Sequence, residues 1–576
     1  MKFLPIASAA FLVGTPAYAQ DPLAPLPVAP PPASQPAVVV QQPLQPSIAV
    51  APVAVPRDWR GVFAAIRAGN WQGARIAIDT LPRSPLTAVA RAELYTAKNS
   101  PVVSLPELQA LLAEAPDLPQ AEQLARMAMT RGATTPPLIV AKRPLVSLGG
   151  APGRYRARPV RGEPLADELR TLLEPYVDAN DAGGAEYLVM ARAPTLSPEA
   201  RAEAWQRVAW IYYVTGQDHH ARRVADSGRI GATGEWAAAA AWVSGLASWR
   251  QGDCNSASQS FRQVIGLTGQ RELRNGAYYW AARAEQACRR PQAVAPLLRA
   301  AAQSQESFYG LLARETLGAD TSMDKAPAAA SGAVDVLPNV RRAVELAQIG
   351  ERSLADQMLR HQARIGLPGH QQALVAVASR LDLAGTQYWL ATNGQRGARV
   401  AASDRYPMPN WTPVRGWRVE PALAFAHAIQ ESSFQAAAVS PIGATGLLQV
   451  RPGTAADMAR AAGIPFTPAS LVDPRYNLEF GQSFIERLRR SSATRDQLPK
   501  VIASYNAGPV PVARWASIQD RGDPVLWIES IPYWETRYYV PAVMRNLWVY
   551  EGLAGKPRQS LSALAQHHWP AFPVAR

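Results

Sequence analysis

The chain contains 576 residues with a formal net charge of +14, and this length predicts several domains. Its 2 cysteines exclude a disulfide-rich miniprotein. A hydrophobic content of 48% argues against full disorder, and a mean hydropathy of −0.12 argues against a polytopic membrane protein. The basic excess favours an anionic partner: nucleic acid, anionic lipid or an acidic polymer.

Residues 1–19 have the features of a secretory signal peptide. A short apolar run over residues 3–13 precedes Ala17-Tyr18-Ala19, which fits the small-x-small cleavage pattern, so the mature chain is expected to begin at Gln20. The alternative is an ordinary buried helix. Because no later stretch reaches about 18 uninterrupted apolar residues, we expect no integral membrane segment in the mature chain. Export argues against nucleic acid and favours an acidic extracytoplasmic polymer as the partner.

Residues 20–56 contain eleven prolines and almost no charge. Proline lacks a backbone donor and fixes φ, so this segment builds neither a helix nor a central strand. It is predicted to be an extended, polyproline-like or disordered leader.

A recurring turn predicts helix-pair repeats in residues 57–318. Gly216, Gly252 and Cys288 follow one another at intervals of 36 residues, and each precedes an alanine by five residues. Glycine suits the left-handed end of a helix, and a small alanine lets the next helix pack closely. A period near 36 with two helices per unit is tetratricopeptide-like and predicts an α-superhelix. Chance spacing in an alanine-rich chain is the alternative.

The two cysteines, Cys254 and Cys288, fall near the turns of adjacent repeats. An oxidising compartment would permit a disulfide between them, and two buried thiols are the alternative. The chain offers no histidines beside them, so we expect no zinc site and no metal.

Composition marks further boundaries along the chain. One stretch rich in Ala, Gly and Ser and another rich in Gly, Pro and Asn interrupt the helical pattern. The predicted segments are a linker, a helical linker domain, a C-terminal domain carrying the chemistry and a tail, over residues 319–337, 338–403, 404–556 and 557–576.

Glu431 is the first candidate for a chemical role. Pro421 suits the first turn of a helix, and Glu431 falls near the end of that helix with His427 one turn earlier. A carboxyl against an apolar wall, near the negative end of a helix dipole, has a raised pKa, as a general acid needs. His427 is interpreted as a packed helix residue rather than a catalyst.

Four motifs follow in order: Glu431-Ser432, Gly446-Leu447-Leu448-Gln449, Tyr505-Asn506-Ala507-Gly508 and Glu535-Thr536-Arg537-x-Tyr539-Val540. They resemble the motifs of the soluble lytic transglycosylases of peptidoglycan. The resemblance covers about residues 420–550. It implies an all-α fold, with an N-terminal superhelix, linker helices and a C-terminal lysozyme-like domain similar to goose-type lysozyme. It also implies a periplasmic location and no cofactor.

The resemblance implies cleavage of the β-1,4 bond between N-acetylmuramic acid and N-acetylglucosamine, with the muramyl C6 hydroxyl capturing the anomeric carbon as a 1,6-anhydro end. Glu431 would act first as acid and then as base. An ordinary lysozyme needs a second carboxylate beside the bond, and no motif offers one next to Glu431. The alternatives are a goose-lysozyme-like hydrolase and a non-catalytic cell-wall scaffold. A ring-shaped array would make cleavage exolytic.

The resemblance also implies substrate-binding roles for other motif residues. Ser440 would donate to the N-acetyl or lactyl group, Gly446 and Gln449 would shape the cleft, and Asn506 would hold its loop. Tyr505 would help to orient the N-acetyl group or Glu431. Glu535 and Tyr539 would lie near the floor of the site. Arg451 is either a contact to a lactyl or peptide carboxylate or a solvated side chain.

The charge has an uneven distribution along the chain. Residues 407–556 hold 15 basic and 12 acidic side chains, so +3 of the total +14 lies there and +11 lies elsewhere. This distribution predicts that the large helical array retains anionic glycan strands of peptidoglycan.

Overall fold

Helices carry almost the entire fold in the computed structural model, which describes residues 53–323 and 332–573. The predicted signal peptide, most of the predicted leader and part of the linker at 319–337 lie outside the described residues. Within the described ranges, a single short antiparallel ladder pairs β1 (Val146–Ser147) with β2 (Asn393–Gly394). No helix in these ranges is long and apolar enough to cross a membrane.

The helices of the N-terminal half are short and closely connected. They are α1 (Trp59–Arg67), α2 (Trp71–Thr80), α3 (Pro85–Thr96), α4 (Leu105–Glu114), α5 (Ala121–Thr130), α6 (Pro164–Ala179), α7 (Ala182–Met190), α8 (Pro198–Val214), α9 (Asp218–Gly228), α10 (Gly234–Arg250), α11 (Cys254–Leu267), α12 (Arg271–Ala287), α13 (Pro291–Ala302) and α14 (Phe308–Thr316).

The helices of the C-terminal half vary more in length. They are α15 (Gly332–Asp335), α16 (Pro338–Gln348), α17 (Arg352–Ile365), α18 (Gln371–Arg380), α19 (Ala384–Thr392), α20 (Pro421–Ser432), α21 (Pro452–Ala462), α22 (Pro474–Arg489), α23 (Leu498–Ala507), α24 (Pro509–Arg514), α25 (Pro524–Glu529), α26 (Trp534–Leu553) and α27 (Gln559–Ala565).

Two hydrophobic cores organise these helices. Helices α1–α5 share one core with α15–α19, although about 200 residues of chain separate the two groups. Helices α6–α14 share the other core with α20–α27. The packing thus divides the helices differently from the composition changes, and the domain bounds drawn from composition remain a prediction.

The repeat pattern is realised in α8–α13. Gly216 and Gly252 have φ of +81° and +78°, the left-handed conformation that ends one helix and starts the turn to the next. Ala221 and Ala257 are completely buried at the close approach of the following helices. The third turn differs, because Cys288 has φ −77° and Arg289 takes the left-handed conformation at φ +58°.

Cys254 and Cys288 are joined by a disulfide, with their Cα atoms 5.5 Å apart. Cys254 begins α11 and Cys288 directly follows the last residue of α12, so the bond links two adjacent repeats. In the chain-entropy model, a bridge across 34 residues contributes about 3–4 kcal/mol of stability.

The helical array (α6–α14 and the segment before it) and the C-terminal helices meet at a buried polar contact. We call this contact the array junction; it consists of Arg154, Trp280, Tyr309 and Glu529. Arg154 donates from Nη1 to both carboxylate oxygens of Glu529 at 2.7 Å. Tyr309 of α14 donates to the same carboxylate at 2.5 Å, and its own oxygen accepts from Trp280 Nε1 at 3.0 Å. Nearby, the Phe308 ring stacks on Trp548 of α26. These contacts bind the array to the helices that carry the candidate site.

Candidate active site

Glu431 lies in the last turn of α20, where the sequence predicts it. Pro421 begins the helix, and Ser433 ends it in the left-handed conformation at φ +51°. The apolar residues of α20 face the core, and α20 packs along α26, the long buried helix. Glu431 is half-buried at this packed face. The helix end thus presents a single carboxyl at the edge of an apolar wall.

A tyrosine hydroxyl holds the Glu431 carboxyl. Tyr539 of α26 donates to Glu431 Oε1 at 2.5 Å. Burial raises the pKa of Glu431 to about 7; the hydrogen bond from Tyr539 opposes this rise, and the nearby negative charge of Glu535 adds to it. Among residues 53–323 and 332–573, no arginine or lysine pairs with Glu431. The carboxyl therefore keeps a proton near neutral pH and can donate it.

The loop after α20 is built around Gly446. Its φ is +83°, and a Cβ there would come within 2.2 Å of Asn477 and of the Leu471 carbonyl, so the position requires glycine. Asn477 is completely buried; it accepts from the Leu448 amide and donates to the Leu471 carbonyl. Gln449 donates from Nε2 to the Ala438 and Gly446 carbonyls. These bonds hold the loop in one shape.

Ser440 and Arg451 stand at the two ends of this loop. Ser440 Oγ accepts from the Ala444 amide at 3.0 Å, which leaves its own proton available to an acceptor outside the loop. Arg451 is exposed immediately before α21. The predicted contacts of both side chains with substrate remain predictions.

Tyr505 contacts the Gly446 loop. Its hydroxyl donates to the Leu448 carbonyl at 2.6 Å, whereas the tyrosine that donates to Glu431 is Tyr539. The expected role of Tyr505 in orienting the N-acetyl group or Glu431 stays a prediction. The Tyr505 ring packs on His427, with ring centroids 4.6 Å apart. Tyr505 thus ties the loop to α20 and walls the site.

Asn506 and Glu535 lie where α23 ends and α26 begins. Asn506 Oδ1 accepts from Thr536 Oγ1 at 2.6 Å and so fastens the two helices together. Glu535 is exposed at the start of α26, and its charge reaches Glu431. Of the predicted residues, Tyr539 and Glu535 lie near the carboxyl, Gly446 and Gln449 share a bond that holds the loop, and Asn506 holds α23 to α26.

Two residues of the site have contacts that the sequence analysis missed. His427 is completely buried, with Nδ1 2.7 Å from the Tyr539 hydroxyl, so it does more than pack. Asn477 holds the Gly446 loop from α22. A histidine on an otherwise apolar helix face is a sequence signal for the role of His427, whereas no sequence motif marks Asn477.

A cavity of about 510 Å³ lies behind Phe484, whose ring is 5.5 Å from that of Tyr505. The cavity is lined by residues of α21, α22 and α24, including Arg487 and Arg490. Both arginines are exposed. The cavity therefore presents two cationic side chains together with the acidic side chain of Asp457.

The C-terminal region matches a known family. Residues 413–528 match the family described as Transglycosylase SLT domain. The soluble lytic murein transglycosylase of Salmonella typhimurium is 28% identical over 277 residues, covering 46% of this chain and 41% of that protein. The Escherichia coli K12 protein of the same name is 28% identical over 271 residues, covering 45% and 41%. The match thus spans about two fifths of the length of these curated relatives.

The fold resembles solved structures over a larger part of the chain. The crystal structure of the 70-kDa soluble lytic transglycosylase from Escherichia coli aligns with a TM-score of 0.53 and 18% identity, covering 89% of this chain and 99% of that chain. The complex of the 70-kDa soluble lytic transglycosylase with bulgecin A aligns with a TM-score of 0.55 and 18% identity, covering 89% and 88%. At this identity the likeness shows the fold, and the predicted all-α class is confirmed.

Proposed function

We propose that this chain, whose residues 413–528 belong to the transglycosylase SLT domain family, is a lytic transglycosylase that cleaves the bond between N-acetylmuramic acid and N-acetylglucosamine in peptidoglycan. The observation that carries the proposal is Glu431. Its carboxyl has a pKa raised to about 7 by burial and is held by Tyr539. A protonated carboxyl at the end of an apolar helix is a general acid for a glycosidic oxygen.

The proposed reaction uses the one carboxyl twice. Glu431 gives its proton to the leaving oxygen as the bond from that oxygen to the anomeric carbon breaks. The C6 hydroxyl of the muramic acid then bonds to the anomeric carbon, and Glu431 takes the hydroxyl proton. The carboxyl returns to its starting state, water is not consumed, and the product ends in 1,6-anhydromuramic acid. Ser440 would donate to the N-acetyl or lactyl group during both steps.

Glu535 supports a hydrolytic alternative. A retaining or inverting glycosidase uses a second carboxylate near the bond, and Glu535 is close enough for its charge to raise the pKa of Glu431. Its exposed position at the start of α26 suits a group that repels the Glu431 charge and so keeps the acid protonated. We therefore assign Glu535 to tuning the acid.

The remaining surface would hold the polymer. The +11 charge outside residues 407–556 suits retention of anionic peptidoglycan in the periplasm, to which the signal peptide would export the chain. Arg487 and Arg490 at the cavity behind Phe484 suit the carboxylates of peptide stems. Cleavage from one end of the strand would follow from an enclosing array.

Mass spectrometry of muropeptides released from purified sacculi tests the proposal. Wild type is expected to release products lighter by one water than hydrolytic products, because they carry anhydro ends. Glu431→Gln, which keeps the acceptor for Tyr539 but holds no transferable proton, is expected to release none. Reducing muramic ends from wild type would favour the hydrolase, and equal release by Glu431→Gln would favour the non-catalytic scaffold.

A further inference from the structure

We propose that His427 is a positioning residue for the acid. Its Nδ1–H donates to the Tyr539 oxygen, so that the hydroxyl hydrogen of Tyr539 is directed to Glu431 Oε1. The free oxygen, Oε2, is then the atom that exchanges its proton with the substrate. The inference rests on the proposed function and adds a residue to its machinery.

Geometry is the first support. His427 and Glu431 are one helical turn apart on α20, and the Tyr539 hydroxyl reaches both from α26. The hydroxyl is 2.7 Å from His427 Nδ1 and 2.5 Å from Glu431 Oε1. One hydroxyl therefore links the buried imidazole to the carboxyl.

Counting protons gives the direction of the two bonds. A tyrosine hydroxyl has one hydrogen, and Tyr539 donates it to Glu431 Oε1, which accepts while the proton of the acid is on Oε2 and also after that proton has left. Because Tyr539 donates its one hydrogen to Glu431, the contact between Tyr539 and His427 is a hydrogen bond only if His427 Nδ1 carries a proton. The opposite tautomer would set two acceptors against a single hydrogen. The tautomer is thus assigned from the network.

The array junction contains the same arrangement with an unambiguous donor. At that junction Tyr309 donates to Glu529 Oε1 at 2.5 Å, and the Tyr309 oxygen accepts from Trp280 Nε1. Indole nitrogen only donates. A ring N–H, a tyrosine and a carboxylate therefore already form this chain elsewhere in the molecule, with His427 standing where Trp280 stands.

The imidazole acts through its dipole rather than through a charge. Burial lowers the pKa of His427 to about 3, so the ring is neutral when the acid works. The titratable groups around Glu431 in the described part of the chain are His427 on α20, Tyr505 on α23, and Glu535 and Tyr539 on α26. Of these, Glu535 is the group whose negative charge raises the pKa of Glu431.

The two hydrogen bonds that link His427, Tyr539 and Glu431 have a predictable effect on the pH dependence of activity. Donation from His427 polarises the Tyr539 hydroxyl and strengthens its bond to ionised Glu431. Removing His427 weakens that stabilisation while burial remains, so the pKa of Glu431 rises. Because the first step needs protonated Glu431, the decline of activity at high pH moves to higher pH. The loss of orientation lowers the maximal rate as well.

The test compares His427→Leu, His427→Asn and His427→Gln, each with and without Tyr539→Phe. The measurement is the initial rate of product release from peptidoglycan, at low substrate concentration, across pH. Asparagine places an amide nitrogen near the Nδ1 position, whereas glutamine carries it farther out and leucine has none. Melting temperatures show whether each variant is folded.

We expect His427→Leu to lower the maximal rate about tenfold and to move the basic midpoint up by about half a pH unit. His427→Asn should return the midpoint close to that of wild type, and His427→Gln should behave like leucine. Tyr539→Phe should move the midpoint up by about one unit. In that background the histidine substitutions should add no further shift.

Three results would overturn the inference. They are an unchanged midpoint in His427→Leu, identical midpoints for the three substitutions, and the same leucine shift with and without the Tyr539 hydroxyl. Activity in Glu431→Gln would instead reject the proposed function itself, so the two failures are distinguishable.

Discussion

The candidate site and the array junction each hold a glutamate through a tyrosine, and the array junction adds a cation. At each place a tyrosine hydroxyl donates to the carboxylate at 2.5 Å and a ring nitrogen contacts the tyrosine oxygen. At the junction, Arg154 also donates to both oxygens of Glu529, and its guanidinium lies about 5 Å from the ring centroids of Trp242 (4.9 Å) and Tyr538 (5.0 Å). Within the described ranges, Glu431 has no such cation.

The presence of Arg154 distinguishes the structural role of Glu529 from the proposed catalytic role of Glu431. Arg154 is the charge partner of Glu529, so this ion pair joins two parts of the molecule. Without a cation, burial holds a proton on Glu431 near neutral pH. The two sites thus share the tyrosine contact and differ in the cation, and the following variants act on that difference.

Exchanging each glutamate for glutamine gives the largest contrast. Glu431→Gln should lower the initial rate on sacculi at least about 100-fold, because the acid is lost, without lowering the melting temperature. Glu529→Gln should instead lower stability by about 3 kcal/mol, because Arg154 is left without its charge partner, while the folded fraction stays active. Rates and thermal unfolding of both variants measure this. A folded, inactive Glu529→Gln would break the comparison.

Removing the cation tests the junction from the other side. Arg154→Met keeps the bulk of the side chain but leaves Glu529 buried without its cation, and should lower the free energy of unfolding by about 3–5 kcal/mol. The double variant Arg154→Met with Glu529→Gln should recover most of the loss, because no buried charge remains unpaired. Chemical denaturation of the three proteins measures the effect. Equal stability of Arg154→Met and wild type would contradict it.

The pH dependence follows from the raised pKa of Glu431. Activity should fall about tenfold per pH unit above a midpoint near 7. The folded chain keeps a proton that the unfolded chain releases near 4.5, so this group's contribution to stability declines as pH rises from about 4.5 to 7. At pH 8, Glu431→Gln should therefore be more stable than wild type by about 2 kcal/mol. A midpoint near 4.5 in the rate would contradict the raised pKa.

The smallest expected effect concerns the junction tyrosine. Tyr309→Phe removes the hydroxyl between Trp280 and Glu529 but leaves Arg154 in place, and should lower stability by about 1–2 kcal/mol. The midpoint of the rate at high pH should not move, because Tyr309 lies outside the candidate site. Tyr539→Phe is the matched variant at the site and should move it. A midpoint shift in Tyr309→Phe would show that the two networks are coupled.

Local patterns predicted much of the fold and the site. Gly216 and Gly252, which are 36 residues apart, marked real helix ends, because a left-handed turn favours glycine. Glu431 at the end of a proline-started helix was likewise readable, because helix ends and an apolar face depend on neighbouring residues. The motif that contains Tyr539 also predicted that this residue lies at the site.

Local sequence patterns could not predict contacts between residues that are far apart in the chain. His427 meets Tyr539 across 112 residues, and Arg154 meets Glu529 across 375. Which tyrosine hydroxyl meets Glu431 Oε1 depends on the packing of α20 on α26, which brings Tyr539 to that oxygen. The shared core of α1–α5 and α15–α19 depends in the same way on tertiary packing.

Digestion of sacculi in water enriched in heavy oxygen tests the central claim most directly. If Glu431 passes the C6 hydroxyl proton rather than activating water, the released products should contain no label and should lack one water at the muramic end. Glu431→Gln should release no products under the same conditions. Heavy oxygen at the anomeric position of wild-type products would contradict the claim and assign the site to hydrolysis.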